Sequence, residues 1–94
     1  MMNLQLAVNG EYFHQIKSGE KPEEYRLYNA YWCKRLEGRS YDKIIITWGY
    51  PKRDDETRRV TKPWIGYIVK TITHRHFGPD PVKVFAIQLG KAPF

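Results

Sequence analysis

Cysteine is almost missing from this chain: Cys33 stands alone among 94 residues. An intramolecular disulfide and a cysteine-based zinc cluster are therefore excluded, and a reducing compartment such as the cytoplasm is the expected setting, with Cys33 a free buried thiol. Long apolar runs are missing too. Runs such as Ile44-Ile45-Ile46 fall far below the roughly 20 residues needed to span a bilayer. The start Met1-Met2-Asn3-Leu4 lacks a basic segment followed by an apolar one, so neither export nor a membrane partner is expected. Acidic residues are the scarcer charge. Ten of them against 16 Lys and Arg give a formal charge of +6, which biases the chain toward phosphate-bearing partners. Repeats and low-complexity tracts are absent, and the length holds one modest core and no second domain. Residues 1–94 are read as a single domain, acting as a monomer.

The hydrophobic share of 41% is ordinary for a folded domain, and its pattern predicts the elements. Leu4, Leu6 and Val8 alternate with polar neighbours as in a half-buried strand. Asn9 then suits an N-cap, Tyr12, Phe13 and Ile16 have helical spacing, and Gly19 suits the left-handed position after Ser18. Pro22 removes a donor, so the segment Glu23–Leu27 reads as a short edge strand. Asn29 caps a second brief helix ending near Gly38, on which Trp32 and Leu36 lie one turn apart and read as core. Lys43–Trp48, with its β-branched run, reads as a central strand covered on both faces. Residues 49–59 read as a solvated, charged loop. Residues 60–73 read as one long strand bent at Gly66. Phe77-Gly78-Pro79-Asp80-Pro81 reads as a turn before a closing strand at 82–89, buried on both sides. The last strands lack helical crossovers, which excludes a parallel doubly wound sheet. The fold class expected is α+β: a small, mostly antiparallel β-barrel with two short helices outside.

The polar cluster that stands out is Lys21-Pro22-Glu23-Glu24-Tyr25-Arg26. On a strand Glu24 and Arg26 share a face, so the guanidinium favours and orients the carboxylate, and Lys21 can swing toward the same place from the preceding turn. A lysine in a partly dry pocket gives up its proton more readily than one in water, and its free amine then serves as base or nucleophile, a tendency a neighbouring carboxylate opposes. Spacing alone favours a solvated edge strand, since exposed charge pairs are abundant and worth little. Trp48 and Tyr50 sit at a strand exit, where aromatic rings can stack a base. His74-Arg75-His76 makes a poor metal site with no cysteine nearby and reads as capping strand ends; no metal or cofactor is expected. Lys52, Arg53, Arg58, Arg59 and Lys62 form either a phosphate-binding rim or a solvated loop balanced by Asp54, Asp55 and Glu56.

The pattern Gly19-x-Lys21-x-x-Glu24-x-Arg26, the strand leaving through Trp48-Gly49-Tyr50 and the later segment from Trp64 to Thr73 together resemble the ASCH family over nearly the whole chain. That resemblance implies a PUA-like barrel with a cleft facing the motif, an association with RNA or modified nucleosides, and, as in several bacterial members, hydrolysis of N4-acylated cytidines. By position Lys21 matches the lysine that looks like the catalytic base, with Arg26 in the flanking motif. Glu24 stands where the acetylcytidine-hydrolysing members have threonine, and after Glu56 only Asp80 is acidic. The carboxylate of such a reaction is then Glu24 or Glu23, with Arg26 orienting it. Catalytic Lys21, Glu24 and Arg26, and substrate-binding Glu23, Tyr25, Trp48 and Tyr50, follow as the expected site of an amidohydrolase acting on N4-acylcytosine nucleosides. Two alternatives remain: a non-catalytic RNA or modified-base binding module, and an RNA-cleaving enzyme using Lys21 with His74 or His76.

Overall fold

The computed structural model describes residues 2–90, and they form two three-stranded sheets and two helices. The first strand, β1 (Asn3–Val8), buries Leu4, Leu6 and Val8. Helix α1 (Gly10–Ser18) follows, capped where the Asn9 side chain accepts from the Tyr12 N–H at 2.8 Å and closed by Gly19 at φ 89°, a left-handed conformation that costs glycine little. Nine residues are too few for a helix stable by itself. Phe13 and Ile16, both fully buried, hold it to the sheet, and burying such side chains contributes roughly 1.5–3 kcal/mol each. Strand β2 (Glu23–Leu27) leads to α2 (Ala30–Leu36), capped in the same way by Asn29.

Strand β3 (Lys43–Trp48) runs parallel to β1 and antiparallel to β4 (Arg59–Pro63), so it is the centre of the first sheet, in the order β1-β3-β4. Ile44 and Ile46 are fully buried, whereas Ile45, on the other face, is only half-buried. The second sheet has the order β2-β6-β5, with β5 (Tyr67–His74) and β2 both antiparallel to β6 (Gly78–Gln88). Here the central strand is covered on both sides, as Val84, Phe85, Ala86 and Ile87 are all fully buried. One core of Leu4, Leu6, Phe13, Ile16, Leu36, Ile44, Ile46, Phe85 and Ile87 lies between the sheets.

Three features depart from the sequence pattern. The long strand expected at 60–73 is two strands in different sheets: Trp64, Ile65 and Gly66, the last at φ 119°, carry the chain across. The turn expected at residues 77–81 is a 3-10 turn at Arg75–Phe77, and β6 already starts at Gly78. Pro79 and Pro81 are accommodated because the β5–β6 register shifts between Ile72 and His74, where a bulge needs no ladder donor from them. Finally, the ladders do not close a barrel among the described residues. β1 and β2 are edge strands of separate sheets, and a side chain spans the gap: the Arg26 Nη2 donates to the Ala7 carbonyl at 3.0 Å. That gap becomes the mouth of a cleft.

Candidate active site

Strand alternation points Glu23 and Tyr25 to one face of β2 and Glu24 and Arg26 to the other. Glu24 is 5% exposed, and burying a carboxylate is costly unless it is paired. The pairing comes from two cations. Lys21 Nζ lies 3.4 Å from Glu24 Oε1 and Arg26 Nη2 lies 3.1 Å from Oε2. Lys21 reaches this position because Gly19 ends α1 and the Lys21 N–H donates back to the Gln15 carbonyl at 3.0 Å, which fixes the turn. Its ammonium sits between two rings, 4.9 Å from the centre of Tyr12 and 4.7 Å from that of Tyr25, a cation–π setting that shields it from water.

Above this trio lies a cleft of about 370 Å³, the size range of small-molecule sites. Its wall is drawn from separate elements: Ala7 and Val8 at the end of β1, Tyr12 of α1, Glu24 to Leu27 of β2, Trp32 of α2, Tyr50 beyond β3, and His74, His76 and Phe77 from the β5–β6 turn. His74 accepts the His76 N–H on Nδ1 at 3.1 Å, capping the turn as its position predicted. Its ring meets Tyr12 and Tyr25 edge-on, with centres 6.0 and 5.7 Å away. Burial lowers the His74 pKa, and the positive charges of Lys21, His76 and Arg75 push it the same way, so the ring is neutral near pH 7. Arg26 lies 5.3 Å from the centre of the Trp32 ring.

The neighbouring carboxylate is committed elsewhere. Glu23 accepts from Lys70 Nζ at 2.8 Å on both oxygens, from Gln88 Nε2 at 2.8 Å and from the Tyr25 hydroxyl at 3.0 Å. Burial pushes its pKa up, but the hydrogen bonds from Lys70, Gln88 and Tyr25 outweigh that, and the net direction is down. Tyr25, half-buried and donating to a carboxylate, is pushed up to about 12. Glu23 thereby pins the ring that faces Lys21. It ties β2 to β5 and β6 and has no lone pair to spare.

Of the residues expected from sequence, Lys21, Glu24, Tyr25, Arg26 and Tyr50 meet in the cleft, with Tyr50 95% exposed at its rim. Glu23 stands behind it. Trp48 lies outside the lining, stacked on Phe13 at 6.1 Å between centres and covered by Arg58 at 4.4 Å. A Cβ on Gly10 would come within 3.0 Å of its indole, so the N-terminus of α1 is seated on that ring. The basic side chains of the loop, Lys52, Arg53, Arg58 and Arg59, and Lys62 beyond it take no part in the cleft wall. Arg59 donates to the Lys52, Arg53 and Asp55 carbonyls, Arg58 pairs with Asp55, and Lys62 is buried. Trp32, read from sequence as core, lines the cleft, as does Tyr12, which the sequence marked only by its helical spacing with Phe13 and Ile16. Cys33 is half-buried rather than buried.

Among the described residues no group of three His, Cys, Asp or Glu side chains is placed to hold a metal ion, and no helix is long and apolar enough to cross a membrane. No family model, curated protein or solved structure matches the chain.

Proposed function

We propose that the cleft is the active site of an amidohydrolase that removes the acyl group from N4-acylated cytosine nucleosides. The observation that carries this reading is the pairing of half-buried Lys21 with buried Glu24, 3.4 Å apart, at the floor of a nucleoside-sized cleft. The resemblance of Gly19-x-Lys21-x-x-Glu24-x-Arg26 to the ASCH motif supports the same chemistry and a PUA-like relationship for the two sheets.

The acylated base lies between Tyr12 and Trp32, with its amide over Lys21. Closure of the base over the trio excludes bulk water, and general-base catalysis by Lys21 requires its free-amine form. It takes a proton from the attacking water as the water oxygen bonds to the acyl carbon. The tetrahedral adduct then breaks at the C–N4 bond. Glu24 receives the proton from the Lys21 ammonium and passes it to the departing N4, giving cytidine and a carboxylic acid, and the starting protonation states return. Arg26, with Nη2 3.1 Å from Glu24 Oε2, holds the carboxyl group in line. His74, kept neutral, adds no competing charge beside Lys21.

The experiment is ultraviolet-monitored hydrolysis of N4-acetylcytidine and N4-benzoylcytidine by the purified protein beside folded Lys21→Ala and Glu24→Ala variants. Turnover lost in both variants is the expected result. No turnover of either substrate by the unmodified chain refutes the reading, and the binding of a modified base without chemistry then takes its place.

A further inference from the structure

A second hollow of about 380 Å³ adjoins the cleft. Ala7, Arg26, Trp32 and Tyr50 line both, so Arg26 and Trp32 form the partition between them. The two differ in charge. In the first, Glu24 offsets Lys21 and Arg26. The second is lined by Arg26 and Arg35 with no carboxylate at all, beside the rings of Tyr31, Trp32 and Tyr50. Arg35 has no ion-pair partner among the described residues. Its guanidinium lies 4.5 Å from the centre of Tyr31 and 6.0 Å from that of Trp32, over aromatic faces. Tyr31 and Tyr50 are 57% and 95% exposed, an arrangement that leaves flat faces open beside an uncompensated cation.

We infer that this hollow takes the nucleotide next to the acylated cytosine in a single-stranded polynucleotide, with Arg35 on the phosphodiester and Tyr31 or Tyr50 stacked on the adjoining base. The inference rests on the reading of the first cleft as an acylcytosine site, and it makes the substrate class a single strand rather than a free nucleoside. A guanidinium beside stacking rings is the chemistry single strands require, a phosphate contact and a sequence-tolerant platform together. A carboxylate-bearing ligand would satisfy Arg35 but leave the rings unused.

The test uses a fluorescein-labelled pentaribonucleotide with one central cytidine, which is the deacylated product and binds whether or not the chain turns over an amide. Fluorescence anisotropy titrations are run at several salt concentrations. Arg35→Ala is expected to weaken binding about tenfold and to reduce the salt slope by about 0.7, the share of one single-strand phosphate contact. Tyr31→Ala is expected to weaken it about tenfold with the slope unchanged. Lys34→Ala makes the same charge change on the same helix outside both hollows and is expected to alter binding by about twofold or less. Equal losses in Arg35→Ala and Lys34→Ala overturn the inference, as does binding that neither Arg35→Ala nor Tyr31→Ala changes. N4-acetylcytidine turnover by the unmodified chain is measured alongside. Its absence together with Arg35-dependent binding removes the hydrolase reading and keeps the nucleotide subsite, whereas turnover without Arg35-dependent binding removes the subsite alone.

Discussion

Glu23 and Glu24 are adjacent in the chain, yet β2 turns them to opposite faces and gives them opposite surroundings. Glu23 meets a lysine, an amide and a phenol, and each of its oxygens accepts twice at 2.8 to 3.0 Å. Glu24 meets two cations at the longer distances of 3.4 and 3.1 Å, and the Arg26 nitrogen nearest it donates instead to Ala7. A carboxylate whose lone pairs are all taken is a tie between strands. One held by charge and facing a cavity retains acceptor capacity for a reacting group. Burial alone would not separate them, since both are largely hidden; hydrogen-bond saturation does.

The largest expected effect is at Lys21. Lys21→Met keeps most of the side chain's length and its place between Tyr12 and Tyr25, and turnover of N4-acetylcytidine should fall by about 10²-fold or more, the usual range for loss of a general base. Urea unfolding of the same variant checks that the fold persists. Next comes Glu23→Ala, which leaves Lys70, Gln88 and Tyr25 without their shared acceptor. It should cost about 2 kcal/mol in urea unfolding, in the range for unmade hydrogen bonds to a charged group, with turnover reduced far less than stability would suggest.

Acid sharpens the same contrast. The Glu23 pKa is lowered in the folded chain, so its contribution to stability is fully present above the unfolded value of about 4.3 and is lost as pH falls through the lower folded value. Glu23→Gln should flatten the decline in stability below about pH 4, as followed by circular dichroism. At the alkaline end, Tyr25, raised to about 12, contributes stability that is complete below the unfolded value of about 10 and is lost as pH rises toward the folded one. The smallest effect concerns His74. Because Lys21 adds to the burial that lowers its pKa, NMR titration of Lys21→Met should show the His74 midpoint moving upward. An unmoved midpoint would mean that Lys21 and His74 do not share the cleft.

Much of the local structure was legible in sequence because its signals are local. Asn9, Asn29 and Gly19 mark helix ends through their own hydrogen bonds and backbone angles, and Leu4, Leu6 and Val8 mark a buried face through alternation. What sequence left out depends on where elements go. The residues from 60 to 73 have one continuous strand pattern, and nothing in a period of two says that Gly66 passes the chain from one sheet to the other. Pro79 and Pro81 read as a turn because a strand normally needs their missing donors, and only the bulge opposite them removes that need. In the cleft, the grouping of Lys21, Glu24 and Arg26 was legible because six residues of chain carry them. Tyr12, Trp32 and His74 arrive from three distant elements, and Trp32 in particular resembles core through its one-turn spacing from Leu36. Trp48 was placed near the ligand for its position at a strand exit, but the edge of the sheet there is covered by the start of α1.

The most direct measurement sets the two carboxylates against each other: ultraviolet-followed hydrolysis of N4-acetylcytidine by the unmodified chain, Glu23→Gln and Glu24→Gln, under one set of conditions. The expected result is turnover by the first two, with Glu23→Gln within several-fold of the unmodified chain, and a fall of about 10²-fold or more in Glu24→Gln. Turnover that survives in Glu24→Gln and fails in Glu23→Gln, or that is absent from the unmodified chain, would contradict the assignment of Glu24 and Lys21 as the reacting pair.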